Sequence, residues 1–151
     1  RERFAMAELI SDVAQKFELT ARTREVNLHI DVPGPLPMVN ADVSMIERVV
    51  TNLLDNALKF GERAAIAIDV SSDSEVIIHI MDDGPGIPEA ELEAVLQPFY
   101  RVETSRNRDT GGTGLGLAIA AQLTAQLEGK LRLANRAGGG LDVAITLPRR
   151  S

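Results

Sequence analysis

Two segments of alternating residues constrain the fold of this chain more than any other feature of its sequence. In AAIAIDV (64–70) and SEVIIHIMDDG (74–84), apolar residues recur at every second position, which is the period of a strand with one buried face. The two segments therefore predict a hairpin. Its shared apolar face is formed by Ile66, Ile68, Val70, Val76, Ile78 and Ile80. Because this parity continues along the second segment, we predict that Asp82 also points inward.

Helical periodicity follows from apolar spacings of three and four residues at three places. The first predicted helix covers 6–17. The second begins after Asp42, a good N-cap residue, and runs to about Phe60. The third covers 115–128 and is stopped by Gly129. These helices would form one layer.

Further alternation predicts a half-buried strand at VNLHIDV (26–32), with Leu28, Ile30 and Val32 on its apolar face. It also predicts two closing strands at KLRLAN (130–135) and GGLDVAITLP (139–148). A short helix is expected from about Pro88. The predicted fold class is α+β. We expect a two-layer sandwich in which a mixed, mostly antiparallel sheet of about five strands is covered on one face by about three helices.

The bulk composition excludes several classes of protein. At 151 residues the chain is expected to form one domain over 1–151, and it has no cysteine for a disulfide or a thiolate metal site. A net charge of -6 argues against a general nucleic-acid surface, and no apolar run predicts a membrane span. Because the sequence starts RERFAMAELI, we expect a fragment of a longer chain.

Three polar residues of the second predicted helix share one stripe at its apolar edge. At about 100° per residue, Asn52, Asn56 and Lys59 project in similar directions. Amide oxygens suit a hard cation such as Mg²⁺, and a lysine suits phosphate. The alternative is structural, with asparagines tolerated on a helix flank and a solvated lysine.

The segment DDGPGIP (82–88) ends an inward-facing strand with a carboxylate and two glycines. A carboxylate on the floor of an apolar site costs several kcal/mol unless it is paired, for example with an amine donor on a ligand. In the alternative interpretation, Asp82 simply caps the backbone of a turn that ends the strand.

A glycine-rich stretch, GGTGLGLAI (111–119), leads into the third predicted helix, and such a junction is a recurrent phosphate site. The stretch is neither a Walker A loop nor a Rossmann fingerprint. The polar loop before it, QPFYRVETSRNRDTGG, carries Arg101, Arg106 and Arg108, which could close over phosphates. The alternatives are a flexible turn and a solvated run of charge.

The remaining polar features have structural interpretations. His29 and His79 are predicted to be residues of the sheet surface, and AGGGLDVA is predicted to supply a turn before the last strand.

Four motifs occur in a defined order: an Asn-x-x-x-Asn helix, Asp-x-Gly-x-Gly after a strand, PFYR, and Gly-x-Gly-x-Gly opening a helix. In this order they resemble the catalytic, ATP-binding domain of bacterial two-component sensor histidine kinases. That family belongs to the superfamily that includes DNA gyrase, the Hsp90 chaperones and MutL. The resemblance covers about 4–147 and implies the Bergerat ATP-binding fold.

The resemblance implies a role for each matching position. Asn56 would ligate Mg²⁺, while Asn52 and Lys59 would contact the triphosphate. Asp82 would accept a hydrogen bond from the adenine amino group. The other implied nucleotide-binding residues are Phe60, Gly84, Gly86, Phe99 and Arg101 at the start of the ATP lid, the lid cations Arg106 and Arg108, and Gly112, Thr113, Gly114, Leu115 and Gly116 along the phosphates. We expect the lid, 102–112, to be mobile without nucleotide.

One position separates the branches of the superfamily. In its hydrolysing members, a glutamate four residues before the metal-binding asparagine acts on water, and here that position is Asn52. The resemblance therefore implies transfer of the γ-phosphoryl group to a histidine of the sensor kinase's dimerisation domain, and then to a response regulator. The phosphoacceptor motif is absent from this sequence, so the domain carrying it is expected N-terminal to the fragment, which alone should not autophosphorylate.

Two other functions stay open on the same fold, namely a serine protein kinase of the anti-sigma type and a nucleotide-responsive interaction module without catalysis. For the favoured function, we expect a monomeric fragment of a homodimeric parent. The fragment would be the cytoplasmic portion of an inner-membrane sensor kinase, with no direct contact to membrane or nucleic acid.

Overall fold

The computed structural model describes residues 2–31, 38–60, 63–69, 75–96 and 115–148. The helices are α1 (Met6–Thr23), α2 (Val43–Phe60) and α3 (Leu115–Gln126). The strands are β1 (Glu2–Ala5), β2 (Asn27–Asp31), β3 (Met38–Ala41), β4 (Arg63–Asp69), β5 (Glu75–Asp82), β6 (Lys130–Asn135) and β7 (Leu141–Pro148). Among the helices of these residues, none has the length and apolar character that crossing a bilayer requires.

The main sheet has five strands in the order β2-β4-β5-β7-β6. β2 pairs with β4 in parallel, and the other neighbours are antiparallel. The predicted hairpin is confirmed, since Ile66 is opposite Ile80 and Ile68 is opposite Ile78. A second sheet, in which β1 pairs with β3, was not predicted, because strands of four residues are too short to show a periodic pattern.

The hydrophobic core lies between the helices and one face of the main sheet. Buried and partly buried residues alternate along β5 and β7, as a sheet with one covered face requires. α2 occupies the centre of the helical layer, where it contacts α1, α3 and β5, and its Leu53 and Leu54 are fully buried. Each such side chain contributes about 1.5–3 kcal/mol of apolar burial, so α2 is firmly anchored against the sheet.

The structure tests two predictions about helix ends, namely the N-cap of α2 and the stop of α3. The Asp42 cap is confirmed, because its Oδ1 accepts a hydrogen bond from the Met45 amide at 3.1 Å. At the end of α3, Glu128 rather than Gly129 has the left-handed backbone, with φ of 63°. Gly129 serves another purpose, since a Cβ there would lie 2.5 Å from the carbonyl oxygen of Thr146. The glycine therefore permits close approach of α3 to the last strand.

Two predictions about less regular segments were wrong in detail. The short helix expected from Pro88 is a pair of 3₁₀ turns, Glu89–Glu91 and Ala94–Leu96. Ile30, expected on the apolar face of its strand, is 37% exposed, because β2 is one of the two edge strands of the sheet. The predicted positions Val32 and Val70 lie outside the described residues.

Candidate functional site

The polar stripe of α2 lies at the edge of the core, as its spacing predicted. Asn52 and Asn56 are partly buried, while the neighbouring Leu53 and Ala57 are buried. The regular geometry of the helix therefore presents two amides one turn apart beside an apolar surface. Lys59 and Phe60 continue the α2 backbone, but their side chains are outside the described part of the structure.

Asp82 is the last residue of β5 and is 2% exposed, so the prediction that it points inward is confirmed. Its Oδ1 accepts a hydrogen bond from the Gly84 amide at 2.8 Å. The carboxylate is therefore buried and also caps the turn, so the structural interpretation is confirmed, while the pairing with a ligand amine stays a prediction. An ionised carboxylate offers about four acceptor sites, so it can accept more than one hydrogen bond.

The turn that follows Asp82 depends on its glycines. Gly86 has a φ of +74°, which favours glycine, and a Cβ there would lie 2.6 Å from Oδ1 of Asn135. The next residue, Ile87, is buried in the core cluster. The segment from Asp82 to Ile87 thus joins a buried carboxylate to a buried apolar residue, and we call it the base-side turn after the role that the resemblance implies for Asp82.

The hairpin between β6 and β7 contacts the base-side turn. The sequence did not predict this contact. Asn135 exchanges two hydrogen bonds with the backbone of Ile87, and Arg136 Nη1 donates to the carbonyl oxygen of Asp82 at 3.2 Å. A Cβ on Gly140, which has a φ of +102°, would lie 1.9 Å from the same carbonyl oxygen. The turn predicted at AGGGLDVA is confirmed, but its last glycine also permits this close contact.

The titratable groups elsewhere provide no obvious metal centre. Within the described ranges, no group of three or more histidine, aspartate and glutamate side chains could hold a metal ion. His29 is exposed, and partly buried His79 has its Nδ1 3.1 Å from Asp142 Oδ1 on the adjacent strand. Both histidines lie on the sheet, as predicted, and the pairing with Asp142 is an addition.

Comparison with known proteins identifies the family. Residues 41–151 match the model of the histidine kinase-, DNA gyrase B- and HSP90-like ATPases. The chain belongs to this family. The resemblance described from the motif order is thereby confirmed.

The similar proteins are histidine kinases. The chain is 34% identical to the sensor histidine kinase WalK of Bacillus subtilis, over 98% of this chain and 25% of WalK. It is 42% identical to the sensor histidine kinase GtrS of Pseudomonas aeruginosa, over 69% of this chain and 21% of GtrS. The chain thus spans at most a quarter of the length of these two relatives.

A solved structure supports the same assignment. The catalytic domain of histidine kinase ThkA superposes with a TM-score of 0.85 at 28% identity, covering 97% of this chain and 94% of that one. The predicted two-layer α+β sandwich of the Bergerat type is confirmed. The protein is a histidine kinase catalytic domain, and the family supports ATP as its ligand.

Several residues implied for this kinase domain lie outside the described residues. They are Phe99, Arg101, Arg106, Arg108, Gly112, Thr113 and Gly114, together with the rest of the lid, 102–112. Leu115 and Gly116 form the first turn of α3, so the glycine-rich stretch does lead into a helix as predicted. α3 contacts α2, the helix that carries Asn52 and Asn56.

Proposed function

We propose that this domain binds ATP with Mg²⁺ and transfers the γ-phosphoryl group to a histidine on the dimerisation domain of a sensor kinase. A response regulator would then receive the group. Family membership and the sensor histidine kinases among the relatives support this function. The observation that carries it is the buried Asp82 carboxylate, at the end of a strand that α2 contacts.

The residues of the candidate site suit a ligand with negatively charged phosphates, such as a nucleotide. Asp82 would accept a hydrogen bond from the adenine amino group, since an ionised carboxylate can accept several hydrogen bonds. Asn56 would ligate Mg²⁺ through its amide oxygen, with Asn52 and Lys59 on the triphosphate. The asparagine amides are neutral, so they would not offset the negative charge of the phosphates. Mg²⁺ would neutralise the phosphate oxygens instead.

The identity of residue 52 favours phosphoryl transfer over hydrolysis. An asparagine amide does not take up a proton near neutral pH, so Asn52 would not activate water as a carboxylate could. A neutral imidazole has one unprotonated nitrogen with a lone pair. That nitrogen can form the new P–N bond while the bond to the ADP oxygen breaks. Positioning and charge neutralisation would supply most of the catalysis.

The proposal can be tested with the domain, the matched phosphoacceptor domain added in trans, Mg²⁺ and γ-labelled ATP. We expect label on a histidine, recognised because it is stable in alkali and lost in acid, and no label on the domain alone. Calorimetry should show saturable binding of a non-hydrolysable ATP analogue with Mg²⁺. No saturation at millimolar nucleotide would refute the proposal.

The same experiment separates the alternatives. Acid-stable label on a serine would indicate a serine kinase of the anti-sigma type, and binding without transfer would indicate a nucleotide-responsive interaction module. Steady phosphate release by the domain alone would indicate a hydrolase. In the proposed function the parent is a homodimeric membrane sensor, and this domain is its cytoplasmic catalytic part.

A further inference from the structure

We propose that Asn135 is a positioning residue for the base-side turn and that, with Arg136 and Gly140, it sets the preference of the site for adenine over guanine. We call these three the support residues. The inference rests on the proposed function, because it concerns how the same nucleotide would be recognised. None of the three belongs to the motifs that identify the family in the sequence.

The Asn135 side chain holds one end of the turn. Its Oδ1 accepts from the Ile87 amide at 2.9 Å, and its Nδ2 donates to the Ile87 carbonyl oxygen at 2.6 Å. One side-chain amide therefore satisfies both backbone groups of a buried residue 48 positions away in the sequence. No other neutral side chain except glutamine offers a donor and an acceptor in this arrangement, and glutamine is longer by one methylene.

Arg136 and Gly140 hold the other end. Arg136 Nη1 donates to the Asp82 carbonyl oxygen, and the Arg136 amide donates to the Gly140 carbonyl oxygen at 2.8 Å, which closes the hairpin. Gly140 lies against the Asp82 and Asp83 backbone, where no side chain would fit. The same hairpin thus restrains the backbone at both Asp82 and Ile87.

These restraints bear on base selectivity because an ionised carboxylate only accepts hydrogen bonds. Adenine carries an amino donor at the position where guanine carries a carbonyl oxygen, which an Asp82 carboxylate would repel. Discrimination then depends on how firmly the carboxylate is held. A loosened turn lets Asp82 move away from guanine and weakens its bond to adenine, so the two affinities converge.

The test compares Asn135→Ala and Asn135→Asp with Asn27→Ala, a matched asparagine replacement at an exposed position on the opposite edge strand. The quantity measured is the ratio of the dissociation constants for GTP and ATP, by calorimetry with Mg²⁺. We expect the ratio to fall about tenfold in Asn135→Ala, because the amide and the carbonyl oxygen of the buried Ile87 would each lose a part-buried hydrogen bond. Asn135→Asp should lose at least as much, because it places a carboxylate against the Ile87 carbonyl oxygen. Asn27→Ala should keep the wild-type ratio.

The ratio separates positioning from general destabilisation. A smaller folded fraction reduces the number of binding sites but leaves the ratio of two affinities unchanged. If Asn135→Ala folds and retains the wild-type ratio, the inference is wrong. If both Asn135 variants fail to fold, Arg136→Ala is tested instead, since it removes one restraint at the Asp82 end of the turn. An unchanged ratio of the GTP and ATP dissociation constants in Arg136→Ala would overturn the inference.

Hydrogen exchange of the nucleotide-free domain distinguishes this inference from the proposed function. We expect the Ile87 amide to exchange at least about tenfold faster in Asn135→Ala, while the Ile78 amide in the sheet centre keeps its rate. If wild type bound neither nucleotide, the proposed function would fail whatever the exchange result. If wild type bound ATP but Ile87 exchanged equally in both proteins, the positioning role would fail by itself.

Discussion

In the proposed function the α2 stripe and the base-side turn would contact the same ligand, but the two regions are supported in different ways. Asn52 and Asn56 project from a regular helix, whose hydrogen bonds and cap involve residues nearby in the sequence. The base-side turn is held by side-chain and glycine contacts from the distant β6–β7 hairpin. Substitutions in the stripe should therefore affect ligand binding alone, whereas substitutions in the turn or its support should also affect stability.

The largest expected loss of stability is at Gly140. Gly140→Ala combines a left-handed backbone with an overlap against the Asp82 backbone, so we expect a loss of at least about 3 kcal/mol in the free energy of unfolding. Gly139→Ala meets open space at a φ of +105° and should lose about 1–3 kcal/mol. Gly138→Ala, also in open space, should stay within about 0.5 kcal/mol. Urea denaturation gives all three values, and a Gly140→Ala variant that was not the least stable of the three would contradict the tight contact at Gly140.

Substitutions of Asp82 should lower both the stability of the domain and its affinity for ATP. In Asp82→Ala the Gly84 amide loses its acceptor, and we expect unfolding and ATP binding each to weaken by about 1–3 kcal/mol. Asp82→Asn is the sharper variant, because its amide oxygen can still accept from Gly84 while its amino group opposes the adenine amino group. It should recover most of the stability but not the affinity. Normal ATP affinity in either variant, measured by calorimetry, would contradict the assigned role.

The local support of α2 is tested at its N-cap. Asp42→Ala removes the acceptor for the Met45 amide and should destabilise the domain by about 1 kcal/mol. Asp42→Ser preserves a capping oxygen and should restore most of that loss in thermal unfolding. If the alanine variant lost as much as Gly140→Ala, the contrast between local and distant support would not hold.

Among the residues of the candidate site, Asn56 has the smallest expected change in stability. This side chain is partly buried at the edge of the core, so Asn56→Ala should change the free energy of unfolding by no more than about 0.5 kcal/mol. The same variant should abolish Mg²⁺-dependent ATP binding, because no other amide on the stripe occupies that position. Calorimetry with Mg²⁺ and then with EDTA measures the dependence. Asn56 is expected to affect ATP binding alone, whereas Asp82 should affect both binding and stability. An Asn56→Ala variant that was strongly destabilised, or that bound ATP normally with Mg²⁺, would contradict this difference.

Sequence periodicity was sufficient for most of the architecture. It predicted the three helices, the five strands of the main sheet, the Asp42 cap and the inward position of Asp82. These features follow from repeats of two or about 3.6 residues and from a local cap, all of which involve neighbouring residues. Helical periodicity, which is also local, placed Asn52 and Asn56 on one stripe.

Only the tertiary structure assigned the support of the base-side turn. Asn135 appeared as the last residue of a strand and Gly140 as part of a loop, because nothing in the adjacent sequence indicates which backbone will lie against them. Their contacts with Ile87 and Asp82 form when strands distant in sequence are brought side by side. The sequence by itself thus determined the elements and which residues lie on their inner faces, while the packing of one hairpin against another decided how firmly the buried carboxylate is held. The physical reason is that periodicity is local, whereas a hydrogen bond across the sheet depends on register and distance in space.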